Sequence, residues 1–93
     1  MIRIDIVGDF RAHIDAQPGD GTRYHLHVIP DMYGGVLAIW TSTGDVYRVF
    51  ENSNRDDLDI KHLNRNCDEN KYTRKAIIKI MSQFFNEGGF KNG

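Results

Sequence analysis

The sequence lacks the features that mark secreted and membrane-spanning proteins. It contains one cysteine, Cys67, so no disulfide can form within the chain. No apolar run approaches the roughly 20 residues that a transmembrane helix needs. Residues 1–6 interleave isoleucine with charged residues, a pattern unlike that of a signal peptide. We therefore expect a protein of the reducing cytoplasm.

An excess of charge of one sign is also missing. Twelve lysines and arginines against thirteen acidic residues leave a formal charge of -1. This balance argues against bulk electrostatic binding to DNA and equally against an acidic DNA mimic, so a charged partner must be met by a local patch. With 93 residues, 40% of them hydrophobic, the chain suits a single globular domain, 1–93.

Motifs of common enzymes are absent: the chain has no glycine-rich phosphate loop, no Gly-x-Ser-x-Gly and no His-Glu-x-x-His. The segment from Tyr24 to Pro30 is similar to the end of the histidine triad motif of nucleotide hydrolases. Arg23, however, stands where that motif needs another histidine, and the chain is too short for the remaining nucleotide-binding elements. We predict no catalytic residues, no cofactor and no enzymatic activity.

Two patterns suggest metal ligands. His13, His25 and His27 are predicted to project from one sheet face, and three imidazoles would suit zinc with an open position. Outward histidines are more often simply solvated, and the sequence leaves this choice open. His62 and Cys67 form a weaker pair without a Cys-x-x-Cys motif.

A calcium loop is suggested by the alternation of Asn52, Asn54 and Asp56 and then excluded by two departures. Asp57 stands where the loop needs glycine for its turn, and Leu63 stands where it needs a bidentate glutamate. We therefore predict no metal site in this segment.

Apolar and polar residues alternate through the first half of the chain, which predicts β-strands. Gly8-Asp9 separates the first two, and a three-residue loop, 7–9, keeps the apolar residues of both strands on one face. The predicted pairs are Ile6 with Phe10, Ile4 with Ala12 and Ile2 with Ile14 on the apolar face, and Asp5 with Arg11 and Arg3 with His13 on the charged face.

Three further strands follow, over 22–29, 36–41 and 46–51. In the first of them Tyr24, Leu26 and Val28 share one face. Strand 36–41 is apolar on both faces, which suits a central strand covered from two sides. The register of the 36–51 hairpin stays open, since Trp40 can pair with Tyr47 or with Arg48.

The stretch from Asn70 to Gly88 has apolar residues at helical spacing, with Ile77, Ile80, Met81, Phe84 and Phe85 on one arc. Asp68 or Asn70 is expected to cap this helix, and Gly88-Gly89 to end it. The polar segment before it suits a short helix with Leu58, His62 and Leu63 inward, or a short strand. The predicted fold is α+β: an antiparallel meander of about five strands with one long C-terminal helix on one face and a possible short helix before it.

Four groups of residues are candidate partner-binding sites. Lys71, Lys75 and Lys79 recur at every fourth position with no acidic residue four positions further on to pair with, an uncompensated repulsion that favours an anionic partner, and Arg74 extends the group. Arg11 and Arg23 lie on the charged sheet face. Met32 and Tyr33 are large apolar residues beside two glycines. The acidic cluster Asp56, Asp57 and Asp59 suits a helix amino terminus or a partner's arginines.

These features lead to two main hypotheses, and a third, a metal-dependent enzyme, depends on the histidines. The first is a non-catalytic binding protein that inhibits or modulates a larger host assembly. In size and cytoplasmic character the chain resembles the small inhibitors carried by bacteriophages and other mobile elements, anti-CRISPR proteins among them; the resemblance is one of general type and rests on no motif. It implies a nucleoprotein partner and, for a phage-encoded protein, the host cytoplasm. The second hypothesis is a nucleic-acid-binding regulator that uses the basic face of the helix. The sequence leaves the partner, the binding face and the oligomeric state open.

Overall fold

The computed structural model describes residues 1–19, 21–51, 58–64 and 71–90. Its elements are, in order, β1 (Ile2–Ile6), β2 (Ala12–Ala16), β3 (Tyr24–Pro30), β4 (Val36–Trp40), β5 (Asp45–Glu51), β6 (Leu58–Asn64) and α1 (Lys71–Asn86). The six strands form one antiparallel sheet in sequence order. The predicted α+β meander with a C-terminal helix is confirmed, with six strands instead of about five.

The core lies between α1 and one face of the sheet, here called the inner face. Because side chains alternate along a strand, every second residue of β2 to β5 points inward and is buried. The helix supplies Ala76, Ile77, Ile80, Met81 and Phe84 to the same core, while Ile2 and Ile4 pack against it from the sheet edge. The predicted inner faces of strands and helix are confirmed except at Phe10, which was predicted to lie on the inner face and is exposed.

The additional strand, β6, forms within the polar segment before the helix. Ile60 is buried and lies opposite Val49 of β5, and Leu58 packs against the core from the same strand. The short helix predicted over this segment is wrong, and the alternative strand is right, since alternation lets Leu58 and Ile60 share the inner face. The predicted capping residues Asp68 and Asn70, the suggested ligand Cys67 and the calcium-like residues of 52–57 lie outside the described residues.

The first hairpin adopts a longer loop than predicted. Val7 donates its backbone N–H to the Arg11 carbonyl at 2.8 Å, so residues 7–11 connect β1 and β2. The predicted register is therefore wrong by two residues. The observed inner pairs are Ile6 with Ala12, Ile4 with Ile14 and Ile2 with Ala16, and the outer pairs are Asp5 with His13 and Arg3 with Asp15.

The second hairpin adopts neither of the two registers considered for it. Trp40 lies opposite Asp45, and Ala38 lies opposite Tyr47. Gly44 donates to the Trp40 carbonyl at 2.8 Å and closes the turn. Trp40 and Tyr47 share the inner face as in the first alternative, but the pairing is displaced by two residues.

The outer face of β4 differs from the prediction of a strand covered from two sides. Leu37 and Ile39 are half-buried, and no helix or strand of the described residues covers them.

Within the residues that the structure describes, no helix combines the length and the apolar character needed to span a membrane.

Candidate binding site at one end of the sheet

Two loops lie at the same end of the sheet. In an antiparallel meander, the β1–β2 loop (7–11) and the β3–β4 loop (31–35) both leave from the same end. Two strand spacings separate them, a distance of about 10 Å. We call the surface formed by these two loops the loop end.

Large apolar side chains are concentrated at the loop end. Phe10 is 74% exposed and Val7 51% exposed in the first loop, and Met32 is 87% and Tyr33 70% exposed in the second. Isolated exposed apolar residues are common, but several at one end of a small domain make that end a candidate interaction surface. Of the four, Phe10 was predicted to lie on the inner face, opposite Ile6; the longer loop places it in solvent instead.

The β3–β4 loop is held by a nearly buried ion pair. Arg48 Nε donates to Asp31 Oδ2 at 2.6 Å, and the Asp31 side chain is only 4% exposed. The other carboxylate oxygen accepts the Tyr33 N–H at 3.2 Å, and Gly34 donates its N–H to the Asp31 carbonyl at 3.0 Å. The Arg48 guanidinium lies 5.1 Å from the centre of the Tyr33 ring. The backbone of Tyr33 is therefore anchored by Asp31, while its exposed ring lies beside Arg48.

A cavity of about 470 Å³ opens beside the first loop. Its apolar lining comes from Ile4 and Ile6 of β1 and from Phe84 and Phe90, and its polar lining includes Asp9 and Glu87. The rings of Phe84 and Phe90 meet edge to face, with centres 5.3 Å apart. An apolar side chain next to a cationic group has the chemistry that this lining would accept.

The helix end that forms this cavity follows the sequence prediction. Gly88 and Gly89 have positive φ values of 108° and 54°, and Gly89 donates its N–H to the Phe84 carbonyl at 3.0 Å. Glycine adopts this conformation without steric cost, so the chain turns directly after Asn86 and returns Phe90 to the helix.

The basic residues of the helix are not all available to a partner. Arg74 donates to the Ile60 carbonyl at 3.0 Å, and Lys79 donates to the Pro18 carbonyl at 3.4 Å. Lys75 and Lys79 are exposed, and within the described ranges no carboxylate lies at ion-pair distance from either. Lys71 begins α1; the structure does not describe its side chain.

The other predicted binding residues are dispersed. Arg11 is exposed at the loop end, whereas Arg23 lies just before β3 at the opposite end of the sheet and pairs with Asp15 at 3.4 Å. Asp59 lies on β6 opposite Phe50, and Asp56 and Asp57 are outside the described residues. The structure thus brings together Met32, Tyr33 and Arg11, and separates them from Arg23 and the helix lysines.

Two of the histidines stack on the outer face of the sheet. His13 and His27 lie opposite each other in the β2–β3 register, with ring centres 4.8 Å apart and planes 19° apart. His25 Nδ1 lies 3.6 Å from an Asp15 carboxylate oxygen. Among the described residues, no three potential ligands are grouped so as to hold a metal ion.

The pKa of His27 is lowered from its usual value of 6.5, first by burial and then by the neighbouring His13 and Arg11. Its Nε2 is buried without a hydrogen-bond partner in the part of the chain described. Protonation of His27 is therefore less favourable in the folded protein than in the unfolded chain.

We expect acidification to destabilise the protein through His27. The unfolded chain binds this proton more readily, so His27 lowers the free energy of unfolding as the pH drops below 6.5 and has no such effect well above that value. His27→Gln should make the decline between pH 8 and pH 5 shallower in urea denaturation. His25→Gln, the same change on the same strand, is the control; an equal effect of both variants would contradict the role of His27.

Comparison with protein-family models, with curated proteins and with solved structures found no match. The structure itself defines an α+β protein with a helix on one face of a six-stranded antiparallel meander. Sequence reasoning found Met32 and Tyr33 but missed Val7, Phe10 and the anchoring role of Arg48. For Val7 and Phe10, the only sequence signal is that an apolar residue stands on each side of Gly8-Asp9.

Proposed function

We propose that this protein is a non-catalytic binding module that inhibits or modulates a larger assembly by docking its loop end onto a partner protein. The observation that carries the proposal is the exposure of Phe10, Met32 and Tyr33 at one end of the sheet. Aromatic residues, methionine and arginine are the types enriched in protein interfaces.

The fixed geometry of the β3–β4 loop supports this function. Binding costs free energy when a loop must be ordered, and that cost is smaller when the contact residues are already held in place. The Asp31–Arg48 pair holds the backbone of the loop, and Arg48 also lies against the Tyr33 ring. Tyr33 is thus an exposed aromatic residue on an anchored loop, and aromatic residues of this kind often dominate binding free energies.

A protein partner suits the loop end better than nucleic acid does. Of its described cations, Arg11 is exposed, while Arg48 is neutralised by Asp31. Phosphate recognition needs several available cations. The general resemblance to small phage-carried inhibitors, anti-CRISPR proteins among them, supports a nucleoprotein complex of the host cytoplasm as the larger assembly, contacted through its protein surface.

We expect truncation of the loop end to abolish partner capture. Met32→Ala combined with Tyr33→Ala should lower partner recovery from host lysate by about tenfold or more, because loss of central anchors typically costs 2 kcal/mol or more. Quantitative mass spectrometry of proteins retained by the wild type and by the variant measures this loss. A second variant, Arg48→Met, should also weaken capture, since it releases the loop without altering Met32 or Tyr33.

The matched control reverses charge on the helix. Lys75→Glu combined with Lys79→Glu should leave the same partner bound, because both lysines lie on α1, outside the loop end. Loss of capture in this control, with normal capture by the loop-end variant, would refute the proposal and favour the second candidate.

That second candidate is nucleic-acid binding by the basic face of α1. It is favoured by one observation: Lys75 and Lys79 are exposed and, among the described residues, have no carboxylate at ion-pair distance. Nucleic-acid binding of this kind requires an affinity that falls steeply as the salt concentration rises, because binding releases counterions. Gel-shift measurements at two salt concentrations, repeated with the charge-reversed control, distinguish it from the loop-end proposal.

A further inference from the structure

Strand β1 lies at the edge of the sheet, and its backbone pattern is defined by two hydrogen bonds. Gln17 donates its N–H to the Met1 carbonyl at 2.7 Å, and Val7 donates its N–H to the Arg11 carbonyl at 2.8 Å. In an antiparallel pair the hydrogen-bonded positions alternate, so the odd-numbered residues of β1 bond to β2. The N–H and C=O groups of Ile2, Ile4 and Ile6 therefore point away from the sheet, toward the open edge.

The side chains of β1 divide between the two faces. Ile2, Ile4 and Ile6 lie on the inner face, where Ile4 and Ile6 line the cavity beside α1. Ile6 is 48% exposed, although it belongs to the apolar face. Arg3 and Asp5 lie on the outer face, 3.5 Å apart, and both are more than half exposed.

The two edges of the sheet differ in regularity. At the other edge, the pairing of β6 with β5 is interrupted by a register shift between Val46 and Tyr47. Such irregularities protect an edge from further pairing. Strand β1 is regular over five residues and contains no proline. Within the described residues, it pairs with β2 alone and presents an edge suited to another strand.

We infer that β1 pairs in antiparallel fashion with β1 of a second copy of this chain, about a twofold axis at Ile4. The outward groups of Ile4 then bond to Ile4 of the second copy, and those of Ile2 bond to Ile6 of the second copy. On the outer face, Arg3 lies opposite Asp5 of the second copy, and Asp5 lies opposite its Arg3. The strand is thus complementary to itself in hydrogen bonds, apolar side chains and charge.

The charges also select this register among its neighbours. The outward backbone groups allow only registers in which even-numbered residues pair with even-numbered residues. A slip of two residues in one direction places Arg3 against Arg3 of the second copy, and a slip in the other direction places Asp5 against Asp5. Like charges directly opposite are destabilising, so the axis at Ile4 is favoured.

Pairing about Ile4 has two structural consequences. The exposed surface of Ile6 is covered by Ile2 of the second copy, which removes apolar surface from water. The two sheets join into one, with both helices on the same face and the two loop ends at opposite ends of the dimer. The dimer does not depend on the proposed docking function, but it would present two docking surfaces.

Charge complementation tests this dimer. Arg3→Asp places two aspartates at positions 3 and 5, and Asp5→Arg places two arginines there. Each variant alone should dimerise at least about tenfold more weakly than the wild type, because both cross-strand ion pairs become repulsive. An equimolar mixture should form a heterodimer, since every acidic position then faces a basic one. Sedimentation equilibrium at low ionic strength, over about a hundredfold range of protein concentration, measures each association.

The double variant Arg3→Asp with Asp5→Arg is the matched control, and it should dimerise as the wild type does because the pairs are exchanged. A wild type that stays monomeric throughout the concentration range would overturn the inference, as would association of the single variants equal to that of the wild type. A mixture that does not associate would likewise overturn the predicted register. All substituted side chains are exposed, and circular dichroism verifies that each variant is folded.

Discussion

Replacing Gly35 with alanine is expected to destabilise the protein strongly. Gly35 has a φ of +72°, and a Cβ atom there would overlap the Val49 carbonyl oxygen and approach Phe50 Cδ1 to 2.8 Å. The left-handed conformation costs about 1 kcal/mol for alanine, and overpacking against backbone adds about 1 to 3 kcal/mol. We expect the free energy of unfolding, measured with urea, to fall by about 2 to 4 kcal/mol.

Gly34 provides the matched control, because it has a similar φ of +87° but its nearest neighbour would be Phe50 at 3.9 Å. Gly34→Ala should therefore cost only the conformational part, about 1 kcal/mol. Equal losses for the two alanine variants would show that close approach to β5 is not what requires glycine at position 35.

Replacing Phe84 with alanine is expected to remove much of the stability that the helix contributes. Phe84 is 1% exposed, and its ring meets Phe85 and Phe90 edge to face at 5.4 Å and 5.3 Å. Truncation of a buried phenylalanine typically costs about 3 to 5 kcal/mol, because transfer free energy is lost and a cavity remains. For a domain of this size, each kcal/mol lowers Tm by about 4 to 8 °C, which differential scanning calorimetry measures.

Phe85 is the control for this substitution, since it is the same residue type one position along the helix but only partly buried. Phe85→Ala should lower Tm by clearly less than Phe84→Ala does. Comparable losses would indicate that the helix is held at its C-terminal end by both residues equally, contrary to the observed burial.

The sheet face on which side chains lie was predictable from the sequence, whereas the pairing registers of the two hairpins were not. Shifting the first hairpin by two residues replaces the pair Ile6 and Phe10 by the pair Ile6 and Ala12 without moving any side chain to the other face. In the second hairpin, the observed pair of Trp40 with Asp45 likewise differs by two residues from the alternative that paired Trp40 with Tyr47. Alternation has a period of two, so it cannot distinguish registers that differ by two residues.

The candidate binding site was predictable only in part, because the sequence shows local patterns but not loop lengths or contacts between distant residues. Met32 and Tyr33 were identified because two glycines make their loop evident in the sequence. Phe10 was missed, because only the length of the first loop decides whether it pairs with Ile6 or lies in solvent. The pairing of Arg48 with Asp31, 17 positions away, was also missed, because it depends on how β3, β4 and β5 lie side by side.

The sequence by itself determined the order of the first five strands and the C-terminal helix, the apolar face of each of them, and the end of the helix at Gly88-Gly89. These depend on local periodicity and on the conformational freedom of glycine, which neighbouring residues express directly. The tertiary structure alone decided the sixth strand, both hairpin registers and the convergence of Phe10, Met32 and Tyr33 at one end of the sheet. Those features arise from contacts between residues distant in the chain, where several arrangements satisfy the same local pattern and packing of the whole domain selects one.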